Sequence, residues 1–487
     1  MNRSAIFPLS LGLLLLGLLL IKLCILGFIG PSPAFDAPMY IDFADKILNG
    51  GLAFSPLNFA RARFLPELFR LAGYPLILAA AKLAVPSAWA GATVIFQSLL
   101  TLLTLWLIFR VLERAFHSAA AALVVVALYG FSTSLLLDNS ILSDSVYSSL
   151  FNIVLFVLLG HLVGCWRLNL GAVVGLGFLW GYSTWTRDSG MVFTVLPMLL
   201  LAVMGVQQSG AWTRRMAPLV AFSVVVAAMV FAYALLNLHR TGEMFFSITG
   251  AANWLRPLFD MQRYGYAHPF GGSDLISTLA RETMTDYDFG AQMKLIDLLF
   301  DRCACTPTQL QSMVFAQYVS GIIHHPVAYV GVIYRNFNFM GLATDVADPL
   351  TTFNQFVQLG TTIGKRVIPG PSIRNIMALK AHFSLSDLLL MIAATVSATI
   401  AGLVFALFLF GIPVLVFKAW RRRQPDAALA VAGFCWFSFM LVSFAFSLVH
   451  YEARHALPVF PAAQAGIVFA VMQLRQGKFG VRWPARV

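Results

Sequence analysis

The sequence predicts an all-α polytopic membrane protein on three observations: composition, the length of its apolar runs, and the charge of the loops between them. Of 487 residues, 59% are hydrophobic and only 11% charged, whereas soluble domains carry about 25% charged residues. The mean hydropathy is +0.80. Runs of about 20 mostly apolar residues, enough for a helix to cross a bilayer, recur along the chain. The net charge of +12 would suggest a nucleic-acid partner in a soluble protein. Here much of the excess sits in short loops, as retention of positive charge on the cytoplasmic side requires. No nucleic-acid partner is expected.

In order, the apolar runs cover 7–29, 89–112, 119–137, 145–164, 169–186, 190–207, 216–238, 386–417, 427–449 and 456–474. The first follows Arg3 and has no small-residue cleavage site before Pro31, so it reads as a retained signal-anchor. With Arg3 inside, the inner loops carry Arg110 and Arg114, then Arg167, then Arg214 and Arg215, then Lys418 with Arg421, Arg422 and Arg423. The tail adds Arg475, Lys478, Arg482 and Arg486. That regularity predicts about ten spans with both ends cytoplasmic.

Two apolar pieces do not fit as spans. Residues 71–85 are too few, and counting them would place Arg110 outside and Asp144 inside. They follow Pro66 and contain the break Gly73-Tyr74-Pro75, so they read as a juxtamembrane or re-entrant helix. Residues 326–342 are interrupted by Arg335, Asn336 and Asn338 and read as lying at the outer surface. The outer face then holds two large segments, 31–88 and 239–385. In the first, residues 40–48 set Ile41, Ala44, Ile47 and Leu48 against Asp42, Asp45 and Lys46, the pattern of a helix lying in the lipid interface. The expected division is an N-terminal transmembrane module, 1–238, an outer segment, 239–385, and a C-terminal transmembrane module, 386–487.

On this topology the polar clusters gather on the outer face: Asp36, Asp138-Asn139 with Asp144, Arg187-Asp188, and 450–455. Asp36 reads as a helix cap ahead of Pro38 or as a general base near the interface. Asp144 either begins its helix, where the dipole favours an acid, or positions a cation, an arginine or an acceptor. Arg187 either pairs with Asp188 or binds phosphate, which a guanidinium matches bidentately. Glu452 and Arg454 either neutralise each other or mark a functional site, the usual meaning of costly boundary charges. Cys24, Cys165 and Cys435 read as small buried hydrophobes. Cys303 and Cys305 form a Cys-Ala-Cys pair whose state is left open: a strained or intermolecular disulfide or, with His324 and His325, an undiagnostic metal set. Gly-rich phosphate loops, a Ser-His-Asp spacing and a nucleotide fold are missing from the sequence, so an activated donor is expected from the lipid phase.

These residues also carry a family resemblance. Asp36-Ala37-Pro38-Met39-Tyr40 with Ala44 resembles the opening of the first outer loop in C-fold (GT-C) glycosyltransferases that use polyprenyl-phosphate sugars. That superfamily includes the protein O-mannosyltransferases and the transferases that add aminoarabinose to lipid A. Gly73-Tyr74-Pro75 resembles their P-G-Y-P element, with Ala72 for the proline. Ser140 to Asp144 resembles their s-x-x-l-t-E element, with Asp for Glu. Gly181 to Arg187 resembles G-x-x-x-x-x-R, and Glu452-Ala453-Arg454-His455 with Pro458 resembles E-x-R-Y-x-x-P, with His for Tyr. The region 239–385 matches little beyond His325 to Tyr329, so the resemblance does not identify the acceptor.

The resemblance implies a bundle of about 10 to 12 transmembrane helices with periplasmic juxtamembrane helices and a small outer layer, in a bacterial inner membrane. It implies an inverting transfer from a polyprenyl-phosphate sugar to a glycan, lipid or protein acceptor. Asp36 would be the base, and Arg187 and Arg454 would hold the donor phosphate. Asp144, Tyr40, Glu452 and His455 would bind or orient the acceptor. No cofactor is implied. Asp36 and Asp144 sharing a divalent cation is a weaker reading, and no essential metal is expected. The alternative function is a transporter or flippase for a lipid-linked sugar. Against it, no pair of matching broken segments divides the chain into two halves.

Overall fold

The computed structural model describes residues 3–32, 36–53, 66–207, 211–283, 291–303, 305–348, 385–422, 426–449 and 453–477. Pro33, Arg423, Tyr451, Glu452, Lys478, Arg482 and Arg486 lie outside these residues. Every regular element among the described residues is a helix. The larger ones are α1 (Arg3–Ile29), α2 (Ala37–Gly50), α3 (Gly73–Ala84), α4 (Trp89–Phe116), α5 (Ala119–Gly130), α6 (Ser143–Leu162) and α7 (Leu170–Thr186). They continue with α8 (Val195–Gln207), α9 (Trp212–Thr241), α10 (Thr249–Arg263), α11 (Leu275–Thr283), α12 (Ala291–Cys303), α13 (Pro307–His324), α14 (Pro326–Asn336) and α15 (Phe339–Ala347). The last four are α16 (Leu385–Ala406), α17 (Ile412–Arg422), α18 (Ala427–Ser447) and α19 (Phe460–Arg475).

Eight described helices are long and apolar enough to cross a membrane: Leu9–Ile29, Trp89–Phe116, Ser143–Leu162, Ser189–Gln207, Trp212–Thr241, Ile392–Arg422, Ala427–Ser447 and Arg454–Arg475. Two expected spans fall short of that length. The run at 119–137 is broken because Ser132 and Ser134 turn their hydroxyls onto the Tyr129 carbonyl at 2.7 and 2.8 Å. Such local side-chain bonds compete with the helical ladder, and α5 stops after 12 residues. At the other, Asn169 caps α7 by accepting from the Ala172 amide at 2.8 Å, and the helix ends after 17 residues at Arg187. It packs along α9.

The main core runs through α4, α5, α6, α8, α18 and α19. A second core joins Leu68 and Phe69 to α10 through α14, so the helices between 249 and 336 share an interior of their own. Its helices start on sequence cues: Thr306 and Gln309 form a capping box, with Pro307 in the first turn of α13. Tyr329 donates to the Leu448 carbonyl at 2.8 Å and Asn336 to that of Ser447 at 3.1 Å, tying α14 to the end of α18. Cys303 and Cys305 are joined in a disulfide.

The interfacial reading of residues 40–48 is corrected. In α2 the buried face is Ala37, Tyr40, Phe43, Ala44 and Ile47, and it packs on Tyr74, Leu78 and Ala79 of α3. The two amphipathic helices cover each other's apolar stripes.

Candidate functional site

The chain leaving α1 is stapled to the turn before α6. Ser32 donates its amide to the Asn139 carbonyl at 2.8 Å, Ile141 donates to the Ser32 carbonyl at 3.1 Å, and Asn139 Nδ2 donates to the Gly30 carbonyl at 2.8 Å. This brings the start of α2, and with it Asp36, beside the start of α6 and Asp144. Tyr40 closes the join, its hydroxyl 2.9 Å from that of Ser143.

Asp36 occupies the cap position of α2, but its side chain caps nothing. It faces two arginines instead. Arg70 Nη2 lies 2.7 Å from Oδ1, and Arg454 Nη1 lies 3.1 Å from Oδ2. The Asp36 side chain is only 10% exposed. Arg454 therefore reaches across the fold to Asp36, while Glu452, the partner considered for it, lies outside the described residues. The segment bearing Arg454 is braced where Asn152 Nδ2 donates to the Pro458 carbonyl at 2.9 Å. His455 stacks on Phe446 with ring centres 5.0 Å apart.

Arg70 is the member of this cluster that the sequence reading missed. It precedes α3 in a segment pressed onto the end of α7, where a Cβ on Gly73 would lie 2.5 Å from the Trp185 carbonyl carbon. Only glycine permits that approach. Tyr182 donates to the Gly73 carbonyl at 2.7 Å, and the Ala72 amide donates to the Tyr233 hydroxyl at 3.0 Å. The Arg70 guanidinium carbon stands 5.5 Å from the Tyr40 ring centre, in cation–π range, and its buried Nε has no hydrogen-bond partner among the described residues. The signal was available: Arg70 falls in the 31–88 segment expected on the outer face, as Arg187 does at its helix end.

Asp144, in the first turn of α6, pairs with Arg187, not with Asp36. Arg187 follows α7 in extended conformation, its guanidinium carbon 6.0 Å from the Tyr147 ring centre. The Arg187–Asp188 pairing that the sequence offered is thus replaced by a pair between two helix ends. Asp188 accepts from the Ser189 backbone and meets the Ser247 hydroxyl at 3.5 Å. Burial raises its pKa, against the opposing pull of Arg187.

All of these groups line one cavity of ≈ 890 Å³: Asp36, Tyr40, Arg70, Asp144, Arg187, Asp188, Arg454 and His455. In the two ion-pair clusters three guanidiniums face two carboxylates, with Asp188 a third acid on the same cavity, so an anion entering there meets forked donors. The exposed side chains of Met191, Val192 and Met244 also border the cavity, giving it an apolar edge beside helices of membrane-crossing length. Among the described residues no group of three or more His, Cys, Asp or Glu side chains is placed to hold a metal ion.

No protein-family model and no curated protein matches the chain. Among solved structures it is similar to the archaeal oligosaccharyltransferase AglB from Archaeoglobus fulgidus, in complex with an inhibitory peptide and a dolichol-phosphate. Identity there is 12% over 98% of this chain and 52% of that one, with a TM-score of 0.45. It is similar also to ArnT from Cupriavidus metallidurans bound to undecaprenyl phosphate, at 12% identity over 97% of this chain and 78% of that one, with a TM-score of 0.31. The chain spans about half the length of the oligosaccharyltransferase.

Proposed function

We propose that the protein is an inverting glycosyltransferase that moves a sugar from a polyprenyl-phosphate donor to a cell-envelope acceptor on the outer face of the membrane. The observation that carries this reading is the Asp36 carboxylate held between Arg70 and Arg454 inside a cavity with an apolar edge. A base and a phosphate-binding fork at one point, next to a path for a lipid chain, are what such a transfer requires.

The donor phosphate takes the arginines that hold Asp36 when no substrate is present. Guanidiniums bind phosphate as they bind carboxylate, so donor binding uncovers the base. Asp36 then accepts the proton of the acceptor hydroxyl as its oxygen attacks the anomeric carbon. The bond from that carbon to the phosphate oxygen breaks on the opposite side, the configuration inverts, and polyprenyl phosphate leaves with the electron pair. Arg70 and Arg454 stabilise the growing phosphate charge. Arg187 adds a third cation, aimed by Asp144. Asp144 keeps its pairing with Arg187 throughout this scheme, while Asp36 is released.

The test is incubation of purified protein with a panel of polyprenyl-phosphate sugars, with mass spectrometry for released polyprenyl phosphate. Release from at least one donor is expected. Movement of an intact donor across liposome membranes with no release would instead establish a flippase.

A further inference from the structure

We propose that the cavity wall built by the outer helices is a subsite for a neutral, hydroxyl-rich acceptor, a glycan. The inference rests on the reading of the Asp36 cluster as the donor-phosphate site. Three helices supply the wall: Asn253, Trp254 and Arg256 from α10, Gln292 from α12, and Thr308 and Gln311 from α13.

Its chemistry differs from that of the arginine cluster. The one cation among these side chains, Arg256, donates from Nε to Asp260 Oδ2 at 3.3 Å and from Nη1 to Gln292 Oε1 at 3.5 Å, with both charged partners buried. Its charge is balanced within the wall. Thr308 gives its amide and its hydroxyl to Glu243 at 3.1 and 2.7 Å, which takes up that carboxylate at the start of α13. What remains toward the cavity is amide and indole. The Asn253 side chain makes no hydrogen bond among the described residues, and Gln311 reaches the Ser247 carbonyl only at 3.5 Å.

Each amide offers donors and an acceptor, and each sugar hydroxyl both donates and accepts. The Trp254 indole adds an apolar surface with a polar edge. An anionic acceptor would bring its charge to a wall with no uncommitted cation, an expensive arrangement away from water. The size agrees. Pockets for one ligand run from about 300 to 1,000 Å³, so ≈ 890 Å³ admits a donor headgroup and an acceptor sugar together.

The experiment uses the full-length protein in detergent with whichever radiolabelled polyprenyl-phosphate sugar it cleaves. Envelope extract, separated into neutral glycan, anionic glycan, lipid and protein fractions, serves as acceptor. Label is expected in the neutral glycans. With the labelled glycan isolated, Asn253→Ala and Gln292→Ala should each raise its KM about 3- to 10-fold, the worth of one hydrogen bond, with a smaller change in kcat. Label in another fraction, or in none, overturns the inference. So does an unchanged acceptor KM, or a rise in donor KM in its place, which would seat the donor sugar on this wall. No release of polyprenyl phosphate from any donor overturns the donor-site reading and this inference with it, whereas release without neutral-glycan labelling overturns the inference alone.

Discussion

Asp138 and Asp36 are both buried carboxylates paired with cations from distant parts of the chain, and their surroundings are opposite. Asp138 is 1% exposed. Its Oδ2 pairs with Lys22 of α1, and its Oδ1 accepts from Thr101, at 3.0 Å, and from Ser145. One anion meets one cation, hydroxyls fill the remaining sites, and the cavity does not reach it. Asp36 meets two guanidiniums, one of which keeps an unpartnered Nε, and it opens onto the cavity. A closed, fully bonded ion pair holds architecture: Lys22 anchors α1, a helix with few other buried residues. An ion pair with spare donors facing a cavity is what the proposed function assigns to the donor phosphate. Burial and charge, taken alone, do not separate the two.

The largest effect should come from Asp36. Asp36→Asn keeps the shape but cannot accept a proton, so turnover should fall roughly 10²–10⁴-fold with folding and donor binding retained. A folded Asn variant with near-normal transfer would remove Asp36 as the base. Asp138→Asn should act on stability instead. It strands the Lys22 ammonium, a loss of about 3–5 kcal/mol, visible as a lowered midpoint of thermal unfolding in detergent. Replacing both partners, as Lys22→Met with Asp138→Leu, should restore most of it. A shift in donor KM in that double variant would show that the two clusters are not separate.

Arg70→Lys and Arg454→Lys sharpen the contrast at smaller scale. Each keeps the charge and loses the fork, so donor KM should rise about 10- to 150-fold, the range of a charge-assisted hydrogen bond. Unchanged donor kinetics would mean that these arginines only neutralise Asp36. The smallest effect concerns Asp188. Burial raises its pKa in the folded protein, so its favourable contribution is present below the ordinary carboxylate range and is lost as pH rises through the raised value. Asp188→Asn removes that dependence. The variant's unfolding midpoint should gain on the wild type as pH rises, and a constant difference between the two would contradict the assignment.

Much of the site was legible residue by residue. Asp36, Asp144, Arg187 and Arg454 stood out as charges at membrane boundaries, and the structure places all four on one cavity. Their partners were not legible. The sequence offered Asp188 for Arg187 and Glu452 for Arg454, each one or two residues away. The structure pairs Arg187 with Asp144 and Arg454 with Asp36, the latter across 418 positions. Arg70 went unremarked because it sits outside the resembling motifs, and Asn253, Gln292 and Gln311 because uncharged amides on amphipathic helices carry no signal of their own.

The sequence by itself determined the helical class, the approximate places of the spans and the collection of polar residues at their ends. Those follow from hydropathy and loop charge, which act over about 20 neighbouring residues. Only the tertiary structure decided where α5 stops, that α2 and α3 cover each other, and which buried acid is sealed and which is open. Ion pairing and burial depend on distances between elements far apart in the chain, and local pattern does not encode those distances.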